Sequence, residues 1–146
     1  MKVISLWQPY ATLAVSGYKR FETRPFPPPS ALAPGERLAI AATKQIKTEQ
    51  QIVVNAPRLQ RYYSQIGLPE WRTLVRGCIV GTVLLGEAFV ITAEAIAKID
   101  EQEYVFGDWR DGRWAWPLLD PIALATPIPV RGRQGIWNYA GEIPAG

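Results

Sequence analysis

The run Cys78-Ile79-Val80-Gly81-Thr82-Val83-Leu84-Leu85-Gly86-Glu87-Ala88-Phe89, continuing to Ile91, limits what this chain can fold into more than any other stretch. Its β-branched and aliphatic residues predict one long strand. A strand of that length is too long to lie flat, and Gly81 and Gly86 stand where a bend or bulge would turn it. The sheet built on it has to curl.

The remaining predicted elements are short and unevenly spaced. Pro9 at a first helical position, Tyr10, Leu13 and Ala14 at helical spacing, and Gly17 as a stop define a helix of about two turns. A strand over 20–24 follows and ends at Pro25. On it Arg20, Glu22 and Arg24 share one face, which sets Glu22 between two guanidiniums, while Phe21 turns toward a core. Pro27-Pro28-Pro29 reads as an extended surface loop, and Pro34-Gly35 turns into a strand over 37–43 that is apolar on both faces and therefore central. Thr48 with Gln51 resembles a capping box opening a helix, which Pro57 interrupts before a second piece ending at Gly67. Asp100 with Glu103 caps another short helix that stops at Gly107. A strand over 113–119 puts Trp114, Trp116 and Leu118 on one face and Pro117 at an edge or bulge. Non-adjacent strands with helices between them and no regular alternation indicate a mixed α+β barrel.

The chain has 146 residues, one domain's worth, read as a single unit over 1–146 with a helical insert at about 45–77 and a short C-terminal tail. It has no run of eighteen apolar residues and no signal-peptide pattern at Met1-Lys2-Val3-Ile4-Ser5, so no membrane partner and a cytoplasmic location are expected. Histidine is absent and Cys78 is the single cysteine. That removes the commonest general base, the commonest metal ligand and any intrachain disulfide, and with them Ser-His-Asp, Cys-His and zinc chemistry. Neither a cofactor nor a resident metal is expected. Any catalysis falls to Lys, Glu, Asp, Tyr, Ser or Thr, or to a recruited metal.

The net charge of +3 is unevenly spread: residues 1–47 carry seven basic and two acidic side chains, and residues 87–120 three basic and eight acidic ones. This asymmetry predicts an anionic partner for the N-terminal portion. Two to four phosphates neutralised on a single strand would give a salt slope of roughly −1.4 to −2.8, which fits a pocket better than a groove.

The candidate site residues cluster near the N-terminus. Lys19 offers a phosphate-binding charge or, if desolvated, a general base or acid, against the simpler reading of a solvated turn lysine. Glu22 either positions a base's amino edge, accepts a proton or merely pairs with Arg20 and Arg24. Trp7 at the helix entrance is suited to stacking a base, and Gln8 beside it can offer both a donor and an acceptor to a base edge. Lys44 ends a predicted strand, Arg131-Gly132-Arg133-Gln134-Gly135 can cradle a phosphate, and Tyr104 is placed at the rim.

Taken together, Leu6-Trp7-Gln8-Pro9-Tyr10-Ala11, Gly17-Tyr18-Lys19 with Glu22-Thr23-Arg24, Gly112-Arg113-Trp114-Ala115-Trp116 and the stretch from Pro127 to Trp137 resemble an ASCH domain, of the PUA-like superfamily. The resemblance implies a PUA-like mixed β-barrel of five to six strands flanked by short α-helices, with a cleft between the first helix and the barrel wall. It implies single-stranded RNA or a nucleotide as ligand. Some relatives are reported as ribonucleases, and a shorter branch deacylates a modified cytidine using Lys, Thr and Glu, with a Thr where this chain has Glu22. Two functions follow as expectations: a binding module using a basic, aromatic-lined cleft, or a metal-independent ribonuclease or nucleoside hydrolase using Lys19 and Glu22. A protein-interaction domain is a third, distinguished by weak salt dependence.

Overall fold

The computed structural model describes residues 1–144. Seven strands form one sheet: β1 (Lys2–Leu6), β2 (Phe21–Arg24), β3 (Arg37–Ala42), β4 (Cys78–Leu85), β5 (Phe89–Val90), β6 (Trp114–Pro129) and β7 (Ile136–Asn138). The order is β2-β6-β4-β3-β1-β7, with β5 also on β6. Only β1 with β3 is parallel among the pairs; the rest are antiparallel. The helices are α1 (Tyr10–Val15), α2 (Thr48–Val54), α3 (Pro57–Ile66), α4 (Ala93–Lys98) and α5 (Glu101–Val105), with a 3₁₀ turn at Trp71–Thr73. The result is a curled half-barrel of mixed strands carrying short helices, the α+β architecture expected.

The curl comes from irregular pairing. Val80 is an extra residue on β4, since Ile40 faces Gly81 and Ala41 faces Ile79. On β6, Leu84 and Thr82 face Leu119 and Ile122, so one residue bulges between them. There Asp120 has φ +44, and Arg37 holds its carboxylate at 2.6 Å and its carbonyl at 2.8 Å. Each bulge adds local twist. A Cβ on Gly81 would lie 2.3 Å from the Ile122 carbonyl oxygen and 2.7 Å from Val15, so only glycine permits this approach of β4 to β6 and α1.

The long strand expected over 78–91 is divided. β4 stops at Leu85 opposite Leu118, and β5 resumes the same line along β6 with Phe89 opposite Ala115. Gly86 opens the interruption: its N–H reaches the Pro117 carbonyl at 2.9 Å, and a Cβ there would touch Pro117 at 2.7 Å. β1 has no counterpart in the sequence reading, nor does α4, which Thr92 caps by accepting from Ala95 N–H at 3.2 Å. The strand expected over 113–119 is the first part of β6, which continues to Pro129, and the central position expected for 37–43 is that of β3.

Three of the four apolar clusters set the position of the site. Inside the curl, Ile4, Leu38, Ile40, Val83, Trp116 and Leu118 pack with Ala11, Ala14 and Val15 of α1. Leu13, on the other side of α1, joins Val54, Leu59, Tyr63, Trp71 and Phe106, so α2 and α3 are packed against the barrel rather than merely crossing it. On the outer face of the sheet Val3, Ala41, Ile79 and Leu124 are covered by Trp137, Tyr139 and Ile143. α2 is capped one residue earlier than expected, with Gln50 rather than Gln51 accepting from the Lys47 N–H at 3.1 Å. Among the described residues no helix is long and apolar enough to cross a membrane.

Candidate functional site

α1 begins where the chain leaves β1, so Trp7 and Tyr10 face the space between the helix and the sheet end. After Gly17, in the left-handed region at φ +84, the chain turns back and runs Lys19 into β2 beneath that space. The cleft that results encloses about 1460 Å³. One wall is Trp7, Tyr10 and the stretch from Val105 to Asp108; the other is built from the ends of β1, β3 and β6 and the start of β4.

Lys19, Glu22 and Arg24 line its floor. Lys19 is only 2% exposed; its Nζ donates to the Phe106 carbonyl at 2.7 Å, lies 3.8 Å from Glu22 Oε1 and sits 5.7 Å from the centre of the Tyr10 ring. A solvated turn lysine is therefore ruled out. The other Glu22 oxygen accepts from Arg24 Nε at 2.7 Å. Arg20 does not flank Glu22 as the strand alternation suggested: its guanidinium turns out to Asp100 at 2.8 Å and to Glu103 at 3.5 Å. Burial, and secondarily the Glu22 carboxylate, push the Tyr10 hydroxyl up to about 12.

Behind Lys19 stands a carboxyl whose position sequence spacing does not reveal. Asp100 caps α5 as expected, accepting from Glu103 N–H at 2.8 Å, but the Glu103 side chain turns inward and is 1% exposed. Its Oε1 accepts from Arg20 N–H at 2.8 Å and its Oε2 has no partner. Desolvation raises its pKa, opposed by the charges of Lys19 and Arg20. On the wall above, Asp108 N–H bonds Thr23 Oγ1 at 2.9 Å, and the Arg110 fork holds the Asp108 carboxyl below its usual range.

Lys44, Arg131 and Arg133 line the upper part of the cleft, joined by Lys47, which follows Lys44 in the next loop, and by Arg76, which was not among the sequence candidates. The Arg76 guanidinium donates to the Lys44 carbonyl, and a Cβ on Gly77 would lie 3.5 Å from Lys44 Cβ. Nine of the sixteen Lys and Arg side chains stand within ion-pair distance of a carboxylate. Of the seven that have no such partner among the described residues, five are Lys44, Lys47, Arg76, Arg131 and Arg133. The only signal for Arg76 in the sequence is a cation flanking an apolar strand.

Two expected site residues do not reach the cleft. Gln8 is 0% exposed, with Nε2 donating to the Val75 carbonyl at 2.7 Å and Oε1 accepting from Thr12 N–H at 3.0 Å. Both ends of its amide are used inside the protein, so Gln8 joins α1 to the segment before β4 and reads no base. Tyr104 lies on the outer side of α5, its ring 5.2 Å from the Arg58 guanidinium. It belongs to a surface cluster in which Arg58 and Tyr62 of α3 both donate to Glu101. Among the described residues no three His, Cys, Asp or Glu side chains come together as a metal site.

No family model matches the chain, and no curated protein does. Solved structures do: the crystal structure of ASCH from Zymomonas mobilis is 21% identical, with a TM-score of 0.56 over 95% of this chain and 87% of that one. Two single-substitution variants of the Zymomonas protein give TM-scores of 0.51 and 0.53, again over 95% of this chain. The chain has the ASCH domain fold. In this ASCH fold the β1–α1 junction and the Lys19–Arg24 segment form one side of the cleft, and the 131–135 loop closes the other.

Proposed function

We propose that the cleft binds a nucleotide unit of single-stranded RNA, holding rather than transforming it. The observation that carries this reading is that five of the seven cations unpaired among the described residues converge on one cleft that also presents Trp7 and a Lys19–Glu22–Arg24 cluster in which Lys19 and Glu22 are buried. Unpaired guanidinium and ammonium groups gathered on one rim repel one another unless an anion joins them. Trp7 supplies a face for a base, and Glu22 supplies an acceptor for an amino edge. Lys19 already donates to a carbonyl and faces a carboxylate, so its surroundings favour donating a hydrogen bond over abstracting a proton.

The test is to titrate the protein with a mixed single-stranded RNA while following both retention and strand integrity, with and without EDTA. Retention of intact RNA is the expected result. Trp7→Ala should weaken it by roughly 5- to 150-fold, the equivalent of about 1 to 3 kcal/mol of stacking. RNA cut in EDTA would replace the reading by the metal-independent ribonuclease, and neither retention nor cutting would overturn both.

A further inference from the structure

Resting on the reading of the cleft as a nucleotide site, we propose that its occupant is a single-stranded oligonucleotide of several units, whose successive phosphates lie along the ends of adjacent strands. β6, β4 and β3 are consecutive neighbours in the sheet. Arg131 follows the end of β6, Arg76 precedes β4 and Lys44 follows β3, each by two residues. Their order along the sheet end is fixed by main-chain contacts: the Val130 N–H bonds the Gly77 carbonyl at 3.1 Å, and Arg76 reaches the Lys44 carbonyl. Neighbouring strands lie about 4.8 Å apart, so these three anchor points spread over roughly 10 Å before side-chain reach is added.

Arg133 extends the series, because its carbonyl accepts from Ser5 Oγ at 2.7 Å at the end of β1, the strand beyond β3. A single phosphate sits within hydrogen-bond distance of a few donors, not of cations dispersed along four strand ends. A mononucleotide would leave most of this arc without a counter-charge. A flexible polyanion can meet it at several points. The volume agrees: about 1460 Å³ exceeds the roughly 300 to 1,000 Å³ of an ordinary small-ligand pocket.

The test compares AMP with an octaribonucleotide, titrated between about 50 and about 300 mM KCl. At roughly −0.7 per neutralised phosphate, five contacts give an octamer slope near −3.5, and AMP should give a much shallower one. Lys44→Gln, Arg76→Gln and Arg131→Gln should each flatten the octamer slope by about 0.7 while changing AMP affinity by less than about twofold. All three positions are exposed, so the variants keep the fold, and Arg61→Gln, an unpaired cation away from the cleft, should leave the slope unchanged. An octamer that binds no more tightly than AMP and with the same slope would overturn the extended path yet leave the nucleotide site standing. So would preference for the duplex of the same sequence. Binding of neither ligand would overturn both.

Discussion

Gln8 and Tyr10 are two residues apart and have opposite fates. Gln8→Ala removes two part-buried hydrogen bonds and orphans the Val75 carbonyl and the Thr12 N–H. We expect a loss of about 2 kcal/mol in a urea titration with RNA affinity unchanged, whereas a base-reading role would give the reverse. Tyr10 ionises near 10 in an unfolded chain and about 12 in the fold. The folded state therefore holds this proton more tightly, so the stability it confers is complete below about pH 10 and is lost as pH rises from 10 toward 12. The loss is at most about 2.7 kcal/mol. Tyr10→Phe should flatten alkaline denaturation in that window, and Tyr63, also raised to about 12 by burial, should preserve the remainder. Lys19, Glu22 and Arg24 were legible in the sequence because their pairing is local, over three residues or fewer. Gln8, Glu103 and Tyr104 were misread because the direction a side chain faces depends on elements far along the chain: Gln8 bonds across 67 residues and Glu103 across 83.

The two glycines that punctuate residues 78–91 do the work the sequence suggested, Gly81 chiefly against the β6 backbone and Gly86 against the ring of Pro117. Gly81→Ala places a methyl 2.3 Å from the Ile122 carbonyl oxygen. Neither β4 nor β6 can shift there without disturbing a bulge, so we expect a loss on the order of 3 kcal/mol or failure to fold, read by thermal melting. Gly35→Ala meets nothing within 4 Å and should cost less, the penalty coming from its φ of +88 alone. Alternation and turn residues located β2, β3 and the first part of β6, and proline and glycine located the α2–α3 pair. β1 escaped because its five residues run straight into the motif that opens α1. The latter part of β6 escaped because Pro121, Pro127 and Pro129 argue against a strand; the structure admits Pro121 and Pro127 where the register slips, and Pro129 as the strand's last residue, opposite Cys78. The loop 131–135 was recognised as phosphate-binding in composition, yet its place across the sheet end depends on β7 pairing with β1.

That pairing joins the beginning of the described chain to its end: Lys2 faces Asn138, Val3 faces Trp137 and Ile4 faces Ile136. The Met1 amino group donates to the Tyr139 carbonyl at 2.9 Å, and Trp137 Nε1 bonds Ser5 Oγ at 3.0 Å. Removal of residues 136–144 would uncover Val3, Ala41 and Ile79 on the outer face and release the arginine loop from one of its two anchors. We expect that truncated chain to bind a hydrophobic dye and to lose the steep salt dependence of RNA binding together. The same strand pair has a kinetic consequence. Closing a loop of more than 130 residues is entropically slow, and nothing local prepares it. Emerging from a ribosome, β1 can take its parallel partner β3 early but must wait for residues 136–138 before its second edge is covered. Pulse-labelled hydrogen exchange during refolding should find the amides of β1 facing β7 among the last to gain protection. The cleft is thus completed late in folding, and a chain without residues 136–138 would leave the 131–135 side of it unanchored on β1.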